Sequence, residues 1–120
     1  MKKQIAELSD AELNLFAGKA QKMPVFMGKG NQCWVMNDEQ EELYDPTNDT
    51  TQAWPIIWEK EIVIDWENKR CLLREDDDHY LVNNFSDKRG VLRSAMVVYV
   101  GSVYGMEVES DADSGDNLSH

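Results

Sequence analysis

Cysteine is scarce: the 120-residue chain has two, Cys33 and Cys71. They are far apart, neither has a partner at metal-ligand spacing, and both are read as free thiols in core or sheet rather than a disulfide or a zinc site. Histidine is equally sparse, with only His79 and His120. Long apolar runs are missing too. The longest, Val91 to Met106, contains Arg93 and is shorter than the ~20 residues a bilayer requires. The start, Met1-Lys2-Lys3-Gln4-Ile5, carries positive charge but no apolar stretch of signal-peptide length, so the chain is expected to stay in the cytosol. Signature motifs of catalysis are also absent. There is no G-x-S-x-G elbow and no H-E-x-x-H, and Gly28-Lys29-Gly30 is too short for a phosphate-binding loop.

Positive charge is the other shortage. Twelve Lys and Arg face 23 Asp and Glu, for a net charge of -11. No base occurs between Asn37 and Asp49 or after Glu107, and residues 1–106 still carry 18 acids against 12 bases. Direct nucleic-acid binding is therefore not expected, because affinity for phosphate backbones depends on cationic side chains that release counterions. A basic protein partner is favoured.

What is present is a foldable body. Hydrophobic residues reach 42% with four Trp and four Tyr, more aromatic area than a disordered chain carries. Ser9 and Glu12 have the spacing of a capping box, with Leu8 and Leu13 at the positions of a hydrophobic staple. Leu13, Phe16, Ala17 and Ala20 then give a helical stripe before Pro24. Val25–Met27 and Gln32–Met36 flank turn residues and read as a hairpin. The stretch 37–49 has six acids and reads as a solvated loop. Pro55 predicts a short helix starting near Thr51 or Gln52, so that proline sacrifices at most the first bond. Glu61–Trp66, Cys71–Arg74 and His79–Val82 read as strands, the last two joined by the acidic turn Glu75–Asp78. Val91–Tyr104 is apolar around most of its circumference, with a stripe of small residues at Ser94, Gly101, Ser102 and Gly105 that would allow close approach. Leu92, Ala95, Met96, Tyr99 and Val103 should share one of its apolar faces. The expectation is one α+β domain over 1–106. A small antiparallel sheet of about three to five short strands would pack against about three helices, the C-terminal one central. From Glu107 to His120 the composition is that of an acidic disordered tail.

Each candidate site has an ordinary reading beside it. Glu75-Asp76-Asp77-Asp78-His79 supplies oxygen ligands and an imidazole, but a solvated turn explains it equally well, and no metal or cofactor is assigned. Asp111-Ala112-Asp113-Ser114-Gly115 places its glycine too early for a calcium loop and lacks the closing Glu. Gly101 and Gly105 match G-x-x-x-G, a motif with force in membrane helices; here the second glycine is better explained as a helix cap. Trp54 and Trp58, four apart on a helix, share a face. Core packing is the ordinary role of such a pair, and anchoring an interface is the other.

Several of these segments together resemble a known family. Glu7-Leu8-Ser9-Asp10 with Leu13, Ala53-Trp54-Pro55-Ile56-Ile57, Ile62 with Ile64, and Leu92, Ala95 and Met96 resemble the NinX-like proteins of lambdoid phages and prophages. That family has no established activity, and every matched position is apolar, capping or helix-starting. The resemblance implies a fold and a phage or prophage accessory setting in the cytoplasm of a bacterial host, and no reaction. The chain departs from the family in the acidic insertion before Pro55, a longer strand pair around Glu75–Asp78 and the acidic tail. The leading expectation is a non-enzymatic binding protein that contacts a host or phage protein. Its contact surface would combine Trp54 and Trp58 with the acids Asp38, Glu39, Glu41 and Glu42 of the 38–49 segment. One alternative is an acidic mimic of nucleic acid that inhibits a DNA- or RNA-binding defence or repair enzyme. The other is a small metal-dependent hydrolase using Asp76–His79.

Overall fold

The structure, a computed structural model, describes residues 2–109. In chain order it runs β1 (Lys2–Gln4), α1 (Asp10–Ala20), β2 (Val25–Gly28), β3 (Gln32–Asn37), β4 (Gln40–Leu43), α2 (Thr50–Lys60), β5 (Val63–Asp65), β6 (Arg70–Arg74), β7 (Tyr80–Asn84), α3 (Val91–Tyr104) and β8 (Glu107–Glu109). The architecture is α+β as the sequence implies. Its eight described strands divide among three antiparallel sheets rather than forming one: β1-β8, β2-β3-β4 and β5-β6-β7.

Helix α3 is the centre. Every residue from Ser94 to Gly101 is buried, so an uninterrupted stretch of helix must be covered on all sides. Its small-residue stripe is where a sheet comes closest. Ser94 Oγ donates to the Asn83 carbonyl of β7 at 2.7 Å, and Gly101 lies against Leu81 of β7 and against Met106, whose Sδ an added Cβ would displace. Gly105 ends the helix at φ 88°, its N–H bonding the Gly101 carbonyl at 2.9 Å. Val103, expected on the core face, is instead exposed, while Tyr104 beside it packs edge-on against Phe16 of α1 with centroids 5.4 Å apart.

The capping box forms as expected. Ser9 Oγ accepts from the Glu12 N–H at 3.1 Å and Glu12 Oε1 from the Ser9 N–H at 3.0 Å, with Leu8 and Leu13 both buried. Arg93 of α3 fastens this N-terminal corner. It donates to Asp10 Oδ1 at 2.7 Å, to the Ala6 carbonyl at 3.0 Å and to the Leu8 carbonyl at 2.5 Å.

Two expectations about loops change. The segment 37–49 is not simply solvated: Gln40–Leu43 pairs with β3, and Tyr44, Pro46 and Thr47 are buried. Buried Asn14 of α1 holds this region. It donates to Asp45 Oδ1 at 2.8 Å and accepts from the Thr47 N–H at 3.1 Å, while Thr47 Oγ1 also donates to Asp45 at 2.9 Å. At the other end, Glu107–Glu109 is not tail but strand. Lys2 pairs with Glu109 and Lys3 with buried Val108, and the Ile5 N–H bonds the Met106 carbonyl at 2.7 Å. Opposite charges across the pair and one apolar side chain are enough to hold three residues there. The rest of the expected tail, including 111–115 and His120, lies outside the described residues.

Replacing Asn14 with Ala would strip the buried Thr47 N–H of its acceptor and Asp45 of a donor. Such an orphaned buried group typically costs about 1–3 kcal/mol. Asn14→Ala is therefore expected to lower the unfolding free energy by about 2 kcal/mol in a urea titration, with Asp45 and Thr47 losing amide-exchange protection.

Candidate functional site

Helix α2 starts where Asp49 accepts from the Thr51 N–H at 2.9 Å, one residue before the earliest expected start. Pro55 consequently falls inside the helix, where it has no N–H to offer the Thr51 carbonyl. Both residues lie on the exposed side, so water can satisfy that carbonyl. The helix buries Ala53, Ile56 and Ile57. At 100° per residue, Thr51, Trp54, Pro55 and Trp58 fall on the opposite face.

The tryptophans are therefore not core residues. Trp54 is 51% exposed and Trp58 73% exposed, with ring centroids 6.3 Å apart and planes inclined by 39°. Ile56 and Ile57 already occupy the face that packs inward, which sets aside core packing as the ordinary role of the pair. A hollow of about 480 Å³ adjoins the pair, lined by Trp54, Ile57, Trp58, Glu61 and Ile62. Glu61 caps the helix in the left-handed region at φ 56°, its N–H directed at the Ile57 and Trp58 carbonyls.

A third indole, not singled out from the sequence, lies across α2. Trp66, 57% exposed, packs edge-on against Phe85 with centroids 5.9 Å apart. It lines a second hollow of about 470 Å³ together with Trp54, Ile57, Ile64, Val91 and Leu92. Trp66 follows Asp65 and precedes Glu67; in a strand that alternation reads as an inward-facing residue, so no local signal announced its exposure.

The four acids sit on a hairpin. Asp38 and Glu39 form its turn with φ of 50° and 72°, and Asn37 pairs with Gln40 beyond them. Two successive positive φ values are the mark of a tight two-residue hairpin turn. Glu41 and Glu42 follow on β4, an edge strand exposed along its length. Edge charges of this kind oppose pairing with another sheet. Glu42 lines a depression with Gln52 and Pro55 of α2, so the base of the hairpin abuts the helix. Asp38, Glu39 and Glu41 line neither tryptophan hollow.

The Asp76–His79 cluster closes on itself. Asp76 Oδ1 accepts from the N–H groups of Asp78 at 3.0 Å and His79 at 2.9 Å, and faces His79 Nδ1 at 3.0 Å. The Asp78 N–H, followed by the His79 ring, holds the Asp76 carboxyl below its usual range. Among the described residues, no three His, Cys, Asp or Glu side chains are grouped to hold a metal ion. A hollow of about 350 Å³ at the start of α1 is bordered by Asp10, Asn14, Asp45 and Asn48. Their polar groups already engage one another and Arg93. No described helix is long and apolar enough to cross a membrane.

No protein-family model matches the chain, and no curated protein matches it.

The buried thiols are inert by their surroundings. Burial first, then the Asp45 carboxylate, pushes Cys33 from 9.0 to about 11. Burial likewise raises Cys71 and takes Tyr44 from 10.0 to about 12. A raised folded-state pKa means that the stability contributed by the neutral form is intact below the unfolded value. It is lost as pH rises through the folded one. Thermal stability is expected to fall from about pH 9 as the pH climbs through about 11 for Cys33 and about 12 for Tyr44. Both cysteines should resist iodoacetamide at pH 8 until denaturant is added.

Proposed function

We propose that this chain is a non-enzymatic protein-binding module, with the outward face of α2 as its anchor and the β3–β4 hairpin as its acidic rim. The single observation that carries this reading is the exposure of Trp54 and Trp58 side by side on a well-anchored helix. Tryptophan is enriched among the few residues that dominate interface energies, since it buries a large rigid surface at small entropic cost. Asp38, Glu39, Glu41 and Glu42 would speed encounter with a basic partner and contribute less to its residence time. The resemblance to the NinX-like proteins supports a phage or prophage setting, with a host or phage protein as target in the bacterial cytoplasm. Consecutive Glu41 and Glu42 point to opposite faces of β4. That division of charge favours a steering rim over a nucleic-acid mimic, which needs one continuous row of carboxylates.

The test is recovery of partners by tagged full-length protein from host lysate at low and high salt. A Trp54→Ala, Trp58→Ala double variant is expected to lose a stoichiometric partner, with affinity falling about 100-fold or more. Its unfolding free energy should change by about 1 kcal/mol or less, since both side chains are exposed. Neutralising Asp38, Glu39, Glu41 and Glu42 together should slow association and flatten its salt dependence while leaving dissociation nearly unchanged. Partner recovery that survives the double variant would overturn the reading.

A further inference from the structure

We propose that the hollow beside the C-terminal end of α2 receives the guanidinium of an arginine side chain from the partner, held between the indoles of Trp54 and Trp58 and the carboxylate of Glu61. The inference deepens the binding-module reading and rests on it.

Three features of the hollow select for a cation. The first is aromatic. At 6.3 Å and 39° the two indoles form neither a parallel stack nor an edge-on pair, and both are more than half exposed. Much of their surface is therefore open to a third group, and a cation over an indole face is attracted by the ring quadrupole. The second is the lining. Of Trp54, Ile57, Trp58, Glu61 and Ile62, Glu61 alone is charged. Among the described residues no cation forms an ion pair with it. Neighbouring Lys60 is turned elsewhere, its Nζ 4.0 Å from Glu59 Oε1 and 6.0 Å from the Tyr99 ring centre. The third is the helix itself, whose C-terminal end carries partial negative charge from its last carbonyls.

Arginine fits better than the other occupants. Its stem is apolar and can lie along Ile57 and Ile62, while its planar head stacks on indole and bonds a carboxylate through two N–H groups. A purely apolar side chain would desolvate Glu61 without giving it a partner. A second copy of this chain would bring together two bodies of net charge -11, and an anionic membrane surface would be repelled in the same way.

The experiment is an NMR titration of the full chain that follows the four indole N–H resonances, with a blocked tetra-arginine peptide as probe. Its neutral citrulline counterpart and a norleucine-containing glycine peptide serve as controls. Trp34, whose Nε1 donates to the Lys29 carbonyl at 3.2 Å, is the internal reference, and Trp66 reports on the neighbouring hollow. Saturable shifts at Trp54 and Trp58 are expected with arginine and absent with citrulline. Glu61→Gln and Trp58→Leu should each weaken binding about threefold to tenfold, with Trp58→Phe retaining more than Trp58→Leu. Equal shifts with citrulline or norleucine, movement of Trp66 alone, or no indole movement at all would overturn the proposal. The two readings fail separately. A silent titration with a partner still lost by the Trp54→Ala, Trp58→Ala variant removes the arginine and keeps the binding module. A positive titration with the partner retained by that variant keeps an arginine-binding hollow and removes the outward face of α2 as the partner's anchor.

Discussion

The structure depends on the need to cover α3 on all sides. A helix buried continuously from Ser94 to Gly101 cannot be served by one small sheet, which offers a single face. Here the task is divided. The β5-β6-β7 sheet lies along the small-residue side, where Ser94 and Gly101 let the strands approach. Helices α1 and α2 pack elsewhere on the same helix, and β8 folds back beside it with Val108 inward. Two of the three sheets, β5-β6-β7 and β1-β8, serve α3 directly, while β2-β3-β4 packs on α1.

The same constraint fixes the exposed surface. Only Ala53, Ile56 and Ile57 of α2 face inward, and a regular helix then has no freedom over where Trp54 and Trp58 go. Polar fastenings keep that arrangement single-valued. The Arg93 contacts to Asp10 and two carbonyls tie α3 to the start of α1, and Asn14 ties α1 to the chain entering α2. Hydrophobic burial alone is non-directional. Hydrogen bonds at these two corners set register and angle.

Much of this was written locally in the sequence. The capping box, the hairpin at Gly28–Asn31, the strands at Cys71–Arg74 and near Tyr80, and the apolar last helix are all local signals, and each element stands close to where its residues place it. What was not legible depended on partners distant in sequence. Asp38-Glu39 lacks the glycine that usually announces a two-residue hairpin turn, so β4 looked like loop. Strand β8 exists because Lys2 and Lys3 lie across from it, a pairing of opposite chain ends. The tryptophans show the limit most clearly. Helical spacing put Trp54 and Trp58 on one face, but only the burial of Ile56 and Ile57 shows which face is turned to solvent.

Magnitudes indicate how such a surface would have to work. The exposed parts of Trp54 and Trp58 amount to roughly 300 Å² if a tryptophan offers about 250 Å². At about 25 cal/mol per Å² their complete burial is worth on the order of 7 kcal/mol. Bringing two proteins together costs about 4–15 kcal/mol in lost translation and rotation. The two indoles thus do little more than offset the cost of association. Net affinity must come from what surrounds them: Trp66 with the hollow it shares with Trp54, and the acidic hairpin, whose Glu42 lines a depression with Pro55 of α2. The hairpin acts over roughly a Debye length, about 8 Å at physiological salt, whereas the indoles act only on contact. A surface with both would capture basic partners quickly and retain those that also fit the tryptophans, so selectivity would come from dissociation rather than from charge.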